Sequence, residues 1–193
     1  MKKLLTISVG TMALFLWLLA PVGASKPPVK GGKLPEIKLP IPRNPGEISY
    51  LGISGTVFFK IPQIKSTVVV IEIFSLYCPQ CQAFSPEMNV LYRMIEQVPD
   101  LKDRIKLIGI GAGNSTNEVE AFRKAHDVPF PLFPDEDFSI HKLLGEVRTP
   151  YFIVIKMNKD HTHQIIYSEL GAFGEAETFL QRILKDSGLR PEN

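Results

Sequence analysis

Residues 66–95 read STVVVIEIFSLYCPQCQAFSPEMNVLYRMI, and the hydrophobic period changes in the middle of them. Ser66 to Phe74 is rich in Val and Ile and apolar at nearly every position, the pattern of a central strand buried on both faces. From Phe84 onward Met88, Leu91, Ile95 and Val98 recur at helical spacing. Between them lies Cys78-Pro79-Gln80-Cys81, which holds the only two cysteines of the chain. Strand, Cys-x-x-Cys, helix is the context in which a cysteine pair reads as redox-active. Pro86 sits one turn inside the helical segment, where it is expected to bend or restart the helix.

A cysteine at a helix N-terminus meets unsatisfied backbone N–H groups and the positive end of the helix dipole, so its thiolate is favoured. Cys78 has that position. Cys81, one turn deeper, is placed to resolve a mixed disulfide formed on Cys78. Two other readings of the pair stand beside this one. A structural staple is disfavoured because the loop it closes is very short, and chain-entropy stabilisation falls with loop length. Half a zinc site would need two further ligands, and neither a second Cys pair nor a nearby His pair supplies them.

Glu72 interrupts the apolar strand. A carboxylate there is costly unless it is hydrogen-bonded, protonated or used. Its even spacing from Cys78 places both on one side of an extended strand. If buried, desolvation would raise its pKa and suit it to exchange a proton with Cys81; the alternative is a partly exposed edge glutamate.

The rest of the chain alternates strand and helix. Residues 25–45 are rich in Lys, Pro and Gly and read as a tether or an extended edge, with Ile37, Leu39 and Ile41 alternating as an edge strand would. Ile48–Ile53 and Thr56–Ile61 read as a hairpin about Gly52 or Gly55. Ile105–Ile110 reads as a second buried strand. Ser115 and Glu118 form a capping box that opens a helix through Val119, Phe122 and Ala125. Asp135–Leu144 reads as a short helix capped by Gly145, Tyr151–Met157 as a strand after Pro150, and Gln164–Ser168 as its hairpin partner. A last amphipathic helix carries Phe173, Phe179, Leu180, Ile183 and Leu184. The expected fold class is α/β: a central mixed sheet flanked by helices.

Met1-Lys2-Lys3, an apolar run from Leu4 to Ala20 and small residues up to Ala24 have the form of a secretory signal peptide; an uncleaved membrane anchor is the alternative. Either places the folded part outside the cytoplasm. The expected organisation is then a signal peptide over 1–24, a tether over 25–45, one domain over 46–187 and a tail over 188–193. The chain has 22 basic and 20 acidic residues, and losing Lys2 and Lys3 leaves the remainder balanced. With no basic patch interleaved with aromatics, nucleic acid is not an expected partner.

Glu72, then Cys78-Pro79-Gln80-Cys81, then Pro86, then Thr149-Pro150 leading a strand resemble the thioredoxin superfamily in order and offset. With the extra strand and helix between the helix after the cysteines and Pro150, and with the signal peptide, the chain looks like the TlpA/ResA-like branch of extracytoplasmic thiol-disulfide oxidoreductases. The resemblance implies a thioredoxin-like fold with a βα insertion before a cis-Pro strand. It also implies Cys78 as nucleophile, Cys81 as resolving thiol, Glu72 as proton relay and Pro150 as a cis residue. Tyr77, Pro79, Gln80, Thr149 and Pro150 would contact substrate. No cofactor beyond the Cys78–Cys81 disulfide and no metal is implied. The implied partners are protein thiols and disulfides outside the cytoplasm, apocytochrome c among the candidates, and a membrane electron-donor protein, with the chain a monomer. Tyr77 stands where the family usually has Trp and Pro79-Gln80 replaces commoner pairs, so both directions of electron flow stay open, reduction of substrate being the expected one.

Two further classes share the fold. A copper chaperone of the Sco type resembles Cys-x-x-x-Cys with a distal His, one residue more than here. Peroxidases resemble Pro-x-x-x-Thr-x-x-Cys, where this chain has Ile71 and Ser75. Among weaker signals, His161 and His163 on a hairpin lack further metal ligands. Gly109, Gly111 and Gly113 miss dinucleotide-binding spacing. Asn114-Ser115-Thr116 matches a glycosylation acceptor but is better explained by helix capping.

Overall fold

A computed structural model describes residues 26–158, 160 and 162–190; the expected signal peptide, His161 and the last three residues of the expected tail lie outside them. The centre is the strand read from Ser66 to Phe74. β-Branched residues make Val68–Phe74 (β3) extended, and every one of its side chains is buried. It pairs in parallel with Ile105–Ala112 (β4) and antiparallel with Tyr151–Met157 (β6). Leu132–Asp135 (β5) adds in parallel outside β4, and His163–Leu170 (β7) antiparallel outside β6, in the order β5-β4-β3-β6-β7.

Alternation along β3 splits the core in two. Val68, Val70 and Phe74 face the helices Pro79–Glu96 (α2), Thr116–Ala125 (α4) and Ala176–Ser187 (α6), with Cys81, Met88, Leu91, Phe122, Phe152 and Phe179 in that cluster. Val69, Ile71 and Ile73 face the other way, against Leu51, Phe59, Ile61, Ile140 and Leu144. This three-layer arrangement is the expected one.

Several local expectations are corrected. Ile48–Ile53 is not a strand: Pro45–Leu51 forms a helix (α1) whose N-cap, Asn44, accepts from the Gly46 N–H at 2.8 Å, with Pro45 at its first position. Gly52 ends it at φ +59, in the left-handed region that glycine enters without steric cost. The capping signals outweigh the β-branched composition because each satisfies backbone groups that a strand here could not pair. The strand at Lys38–Pro40 (β1) pairs instead with Phe58–Lys60 (β2), as a ribbon separate from the main sheet.

Residues 132–135, of which only Asp135 entered the expected helix, form β5, an edge strand where Pro134 is tolerated. The helix that follows is shorter than expected, Ser139–Leu143 (α5), since the buried Asp135 carboxylate caps it by accepting from Ile140 N at 2.9 Å and His141 N at 2.8 Å. Phe173 precedes α6 and stacks on Phe179 at 3.9 Å between ring centroids. Pro86 does not restart the helix: α2 runs through it, with the Ser85 hydroxyl donating to the Cys81 carbonyl at 2.9 Å. A four-residue helix, Pro99–Lys102 (α3), links α2 to β4.

The proline- and glycine-rich N-terminal segment is packed along the sheet. Gly31 N donates to Ile165 O at 2.8 Å and Ile165 N to Gly32 O at 2.9 Å, so the segment closes the outer edge of β7. The Ser168 hydroxyl donates to Pro28 O at 2.6 Å, and His163 Nε2 accepts from Leu34 N at 3.1 Å. Leu34, Ile37 and Leu39 are buried in the second core cluster.

Candidate active site

Cys78 is the N-cap of α2. Its φ of −94° and ψ of 106° are extended, Pro79 occupies the first helical position, and Cys78 Sγ accepts from the Cys81 N–H at 3.1 Å. Sulfur therefore sits where a side-chain oxygen would normally cap, against a free N–H and the positive end of an 18-residue helix. Two residues of helix carry Cys81 underneath, and the two cysteines form a disulfide with Cα atoms 5.2 Å apart. Cys78 is half-buried while Cys81 has no exposed surface. One sulfur can meet an incoming partner; the other can be reached only through the first.

Glu72 lies on the face of β3 that meets α2. Its sheet neighbours are Gly109 of β4 and Phe152 of β6, and along the strand Val70 and Phe74 flank it. It is 3% exposed, and its Oε1 has no hydrogen-bond partner. Burial pushes its carboxyl up to about 8, because no cation or donor offsets the lost hydration. An acid in this state is protonated at neutral pH and within reach of releasing its proton. It shares its layer with Cys81 rather than opening to the groove above.

The loop from β3 to Cys78 is held from several directions. Asn114, fully buried at the end of β4, accepts from Leu76 N at 2.8 Å and donates to Ser75 Oγ at 3.4 Å. The Gln82 side chain donates to Leu76 O at 2.7 Å, and Cys78 N donates to Ser75 O at 3.1 Å. Sequence reasoning missed Asn114 and Gln82 in this role. Asn114 was visible only within a glycosylation motif, which its burial rules out, and nothing local marks it as a support for a loop 38 positions away, nor Gln82 as a donor to Leu76 O six residues before it.

Tyr77 is 70% exposed, and its hydroxyl donates to Glu118 Oε1. The other carboxylate oxygen of Glu118 accepts from Ser115 N at 2.8 Å and Ser115 Oγ at 2.7 Å, completing the capping box of α4. These bonds, that from Tyr77 first, hold the Glu118 carboxyl at about 2.

Of the residues expected to contact substrate, Tyr77, Pro79, Gln80 and Thr149 line one groove with Cys78, together with Ser75 and Arg148. Pro150 lies next to it, lining a second depression with Gln80, Ala83 and Phe84. The Thr149–Pro150 peptide bond is cis, and Thr149 stands just outside the β6 ladder, whose register with β3 begins at Tyr151. Among the described residues no group of three or more His, Cys, Asp and Glu side chains is arranged to hold a metal ion.

A family model described as Thioredoxin-like matches residues 66–161. No curated protein matches the chain. Solved structures do. A protein identified as a candidate thiol:disulfide interchange protein DsbE from Chlorobium tepidum aligns over 83% of this chain and 99% of its own, at 19% identity and a TM-score of 0.61. The thioredoxin domain of a Bacteroides vulgatus thiol-disulfide oxidoreductase aligns over 79% and 96%, at 13% identity and a TM-score of 0.57. StoA from Bacillus subtilis aligns over 66% and 90%, at 20% identity and a TM-score of 0.51. At these identities the structural likeness speaks to the fold, and it agrees with the family model: residues 66–161 carry a thioredoxin-like domain.

Proposed function

We propose that the protein is a thiol-disulfide oxidoreductase that works outside the cytoplasm and reduces disulfides in protein substrates. The observation that carries this reading is the asymmetry of the pair: Cys78 half-exposed at the helix N-terminus, Cys81 fully buried beneath it, and an uncompensated carboxyl in the same layer.

In the reduced protein the Cys78 thiolate attacks a substrate disulfide; a Cys78–substrate disulfide forms and the first substrate sulfur leaves as a thiolate. Cys81 then attacks Cys78 Sγ, its proton passing to Glu72 in the minor ionised fraction that a carboxyl at about 8 keeps at neutral pH. The Cys78–Cys81 disulfide forms and the second substrate thiol is released. Two electrons have moved to the substrate, and an external dithiol must return them. The groove formed by Tyr77, Pro79, Gln80 and Thr149 receives the substrate backbone beside the reacting sulfur. The names of the similar structures and the N-terminal sequence support this reading, and protein thiols such as those of apocytochrome c are candidate substrates.

Cys81→Ser, expressed in its own compartment, should accumulate mixed disulfides on Cys78 that are absent from Cys78→Ser. Recovery of defined cysteine-bearing partners supports the reading; no adduct together with a tightly bound copper ion overturns it. A reduction potential below about −220 mV marks a reductant and one near about −120 mV an oxidant.

A further inference from the structure

We propose that Arg148 selects the substrate: its guanidinium favours polypeptides that carry an Asp or Glu beside the reacting cysteine. The inference rests on the redox reading above and narrows its substrate class.

The groove beside Cys78 is lined by Ser75, Tyr77, Cys78, Pro79, Gln80, Arg148 and Thr149, and Arg148 is its single charge. Its position follows from the chain: it immediately precedes Thr149, so a peptide lying along Thr149 with its cysteine at Cys78 passes the guanidinium within one or two residues. Arg148 is exposed. Arg104, Arg123 and Arg182 each hold a carboxylate at 2.9 Å. Among the described residues no carboxylate comes within ion-pairing distance of Arg148. Glu118 is engaged by Tyr77 and Ser115, Glu72 is buried within the sheet layer, and Glu146, which lines the neighbouring arm of the groove with Arg148, Phe138 and His141, forms no pair with it.

An unpaired guanidinium on the wall of a shallow groove is a planar, permanently charged donor fork, which suits a carboxylate and repels Lys or Arg. The neutral remainder of the wall leaves that preference undiluted next to the sulfur. Charge complementarity at this one residue therefore commits the groove to an extended segment with an acidic neighbour to its cysteine.

The test uses the full reduced protein and ten-residue peptides, identical except for Glu, Gln or Lys beside their single cysteine, each carried as a mixed disulfide with thionitrobenzoate. Attack by Cys78 on the peptide sulfur forms the Cys78–peptide disulfide and breaks the bond to thionitrobenzoate, which leaves as a coloured thiolate; Cys81 then displaces the peptide thiol. Wild type should react about fivefold faster with the Glu peptide than with the Gln peptide, the size expected of one exposed ion pair, and slowest with the Lys peptide. Arg148→Gln should bring the three rates together, and Arg148→Glu should reverse their order. High salt should flatten the wild-type preference.

Equal slowing of all three peptides in Arg148→Gln would overturn the proposal and assign the charge to the Cys78 thiolate instead. Equal wild-type rates would also overturn it while leaving the redox reading intact. Failure of wild type to react with any peptide would overturn both.

Discussion

Replacing Glu72 by Gln should change how stability depends on pH, and by an amount that follows from the burial of the carboxyl. The unfolded chain releases this proton near the ordinary value of 4.5, the folded chain at about 8. Between those values the folded state holds one proton more than the unfolded state, so unfolding free energy falls as pH rises. Each unit is worth about 1.4 kcal/mol, so by pH 7 Glu72 has cost roughly 3 kcal/mol relative to pH 4.5, and above pH 8 the loss levels off near 5 kcal/mol. Gln has nearly the shape of the protonated acid and does not titrate. The difference in unfolding free energy between the two oxidised proteins, measured by urea denaturation from pH 4.5 to 9, removes the contributions of all other groups. It should move in favour of Gln by roughly 3 kcal/mol between pH 4.5 and 7, or a melting shift of roughly 10 °C for a chain of this length. A fixed penalty from burying the amide would offset the curve without tilting it. A difference that stays flat over the whole range would refute the argument, because it would mean that the carboxyl is hydrated or paired in the folded protein.

Asn114→Ala removes the acceptor of the Leu76 N–H and the donor to Ser75; urea denaturation should show a loss of about 1–3 kcal/mol, and thionitrobenzoate release should slow because the loop bearing Cys78 is less firmly held. Gly109→Ala puts a methyl group 2.4 Å from the Leu132 side chain and 3.1 Å from the Phe74 ring, so denaturation should show an overpacking loss of about 1–3 kcal/mol without a change in the order of peptide preference.

The strand, the dithiol and the helix after it were legible because their signal is local: a β-branched run, a two-residue gap between the cysteines and a switch to helical spacing all lie within thirty residues. Glu72 was legible for a related reason, as a charge in a run that otherwise has none. Helix α1 was misread as a strand because Ile48 and Ile53 suggested β structure, whereas Asn44, Pro45 and Gly52 set its ends. β5 was hidden by Pro134 within it, Pro131 just before it and its four-residue length; it exists because β4 offers it an edge. Asn114, Gln82 and Arg148 were not legible at all as parts of the site, since their significance depends on which loop each one meets after folding.

The segment along β7 changes where the folding unit begins. Its prolines and glycines suggest slack, yet from Pro28 to Leu34 it is a strap, buckled by backbone bonds to Ile165 and by the Ser168 hydroxyl. Beyond the strap, Ile37 and Leu39 lie within the hydrophobic interior. A boundary drawn by composition at residue 46 would thus cut through the core and bare the backbone of an outer strand. What looks like a leash is part of the wall: from Pro28 onward the segment packs against the sheet and its interior.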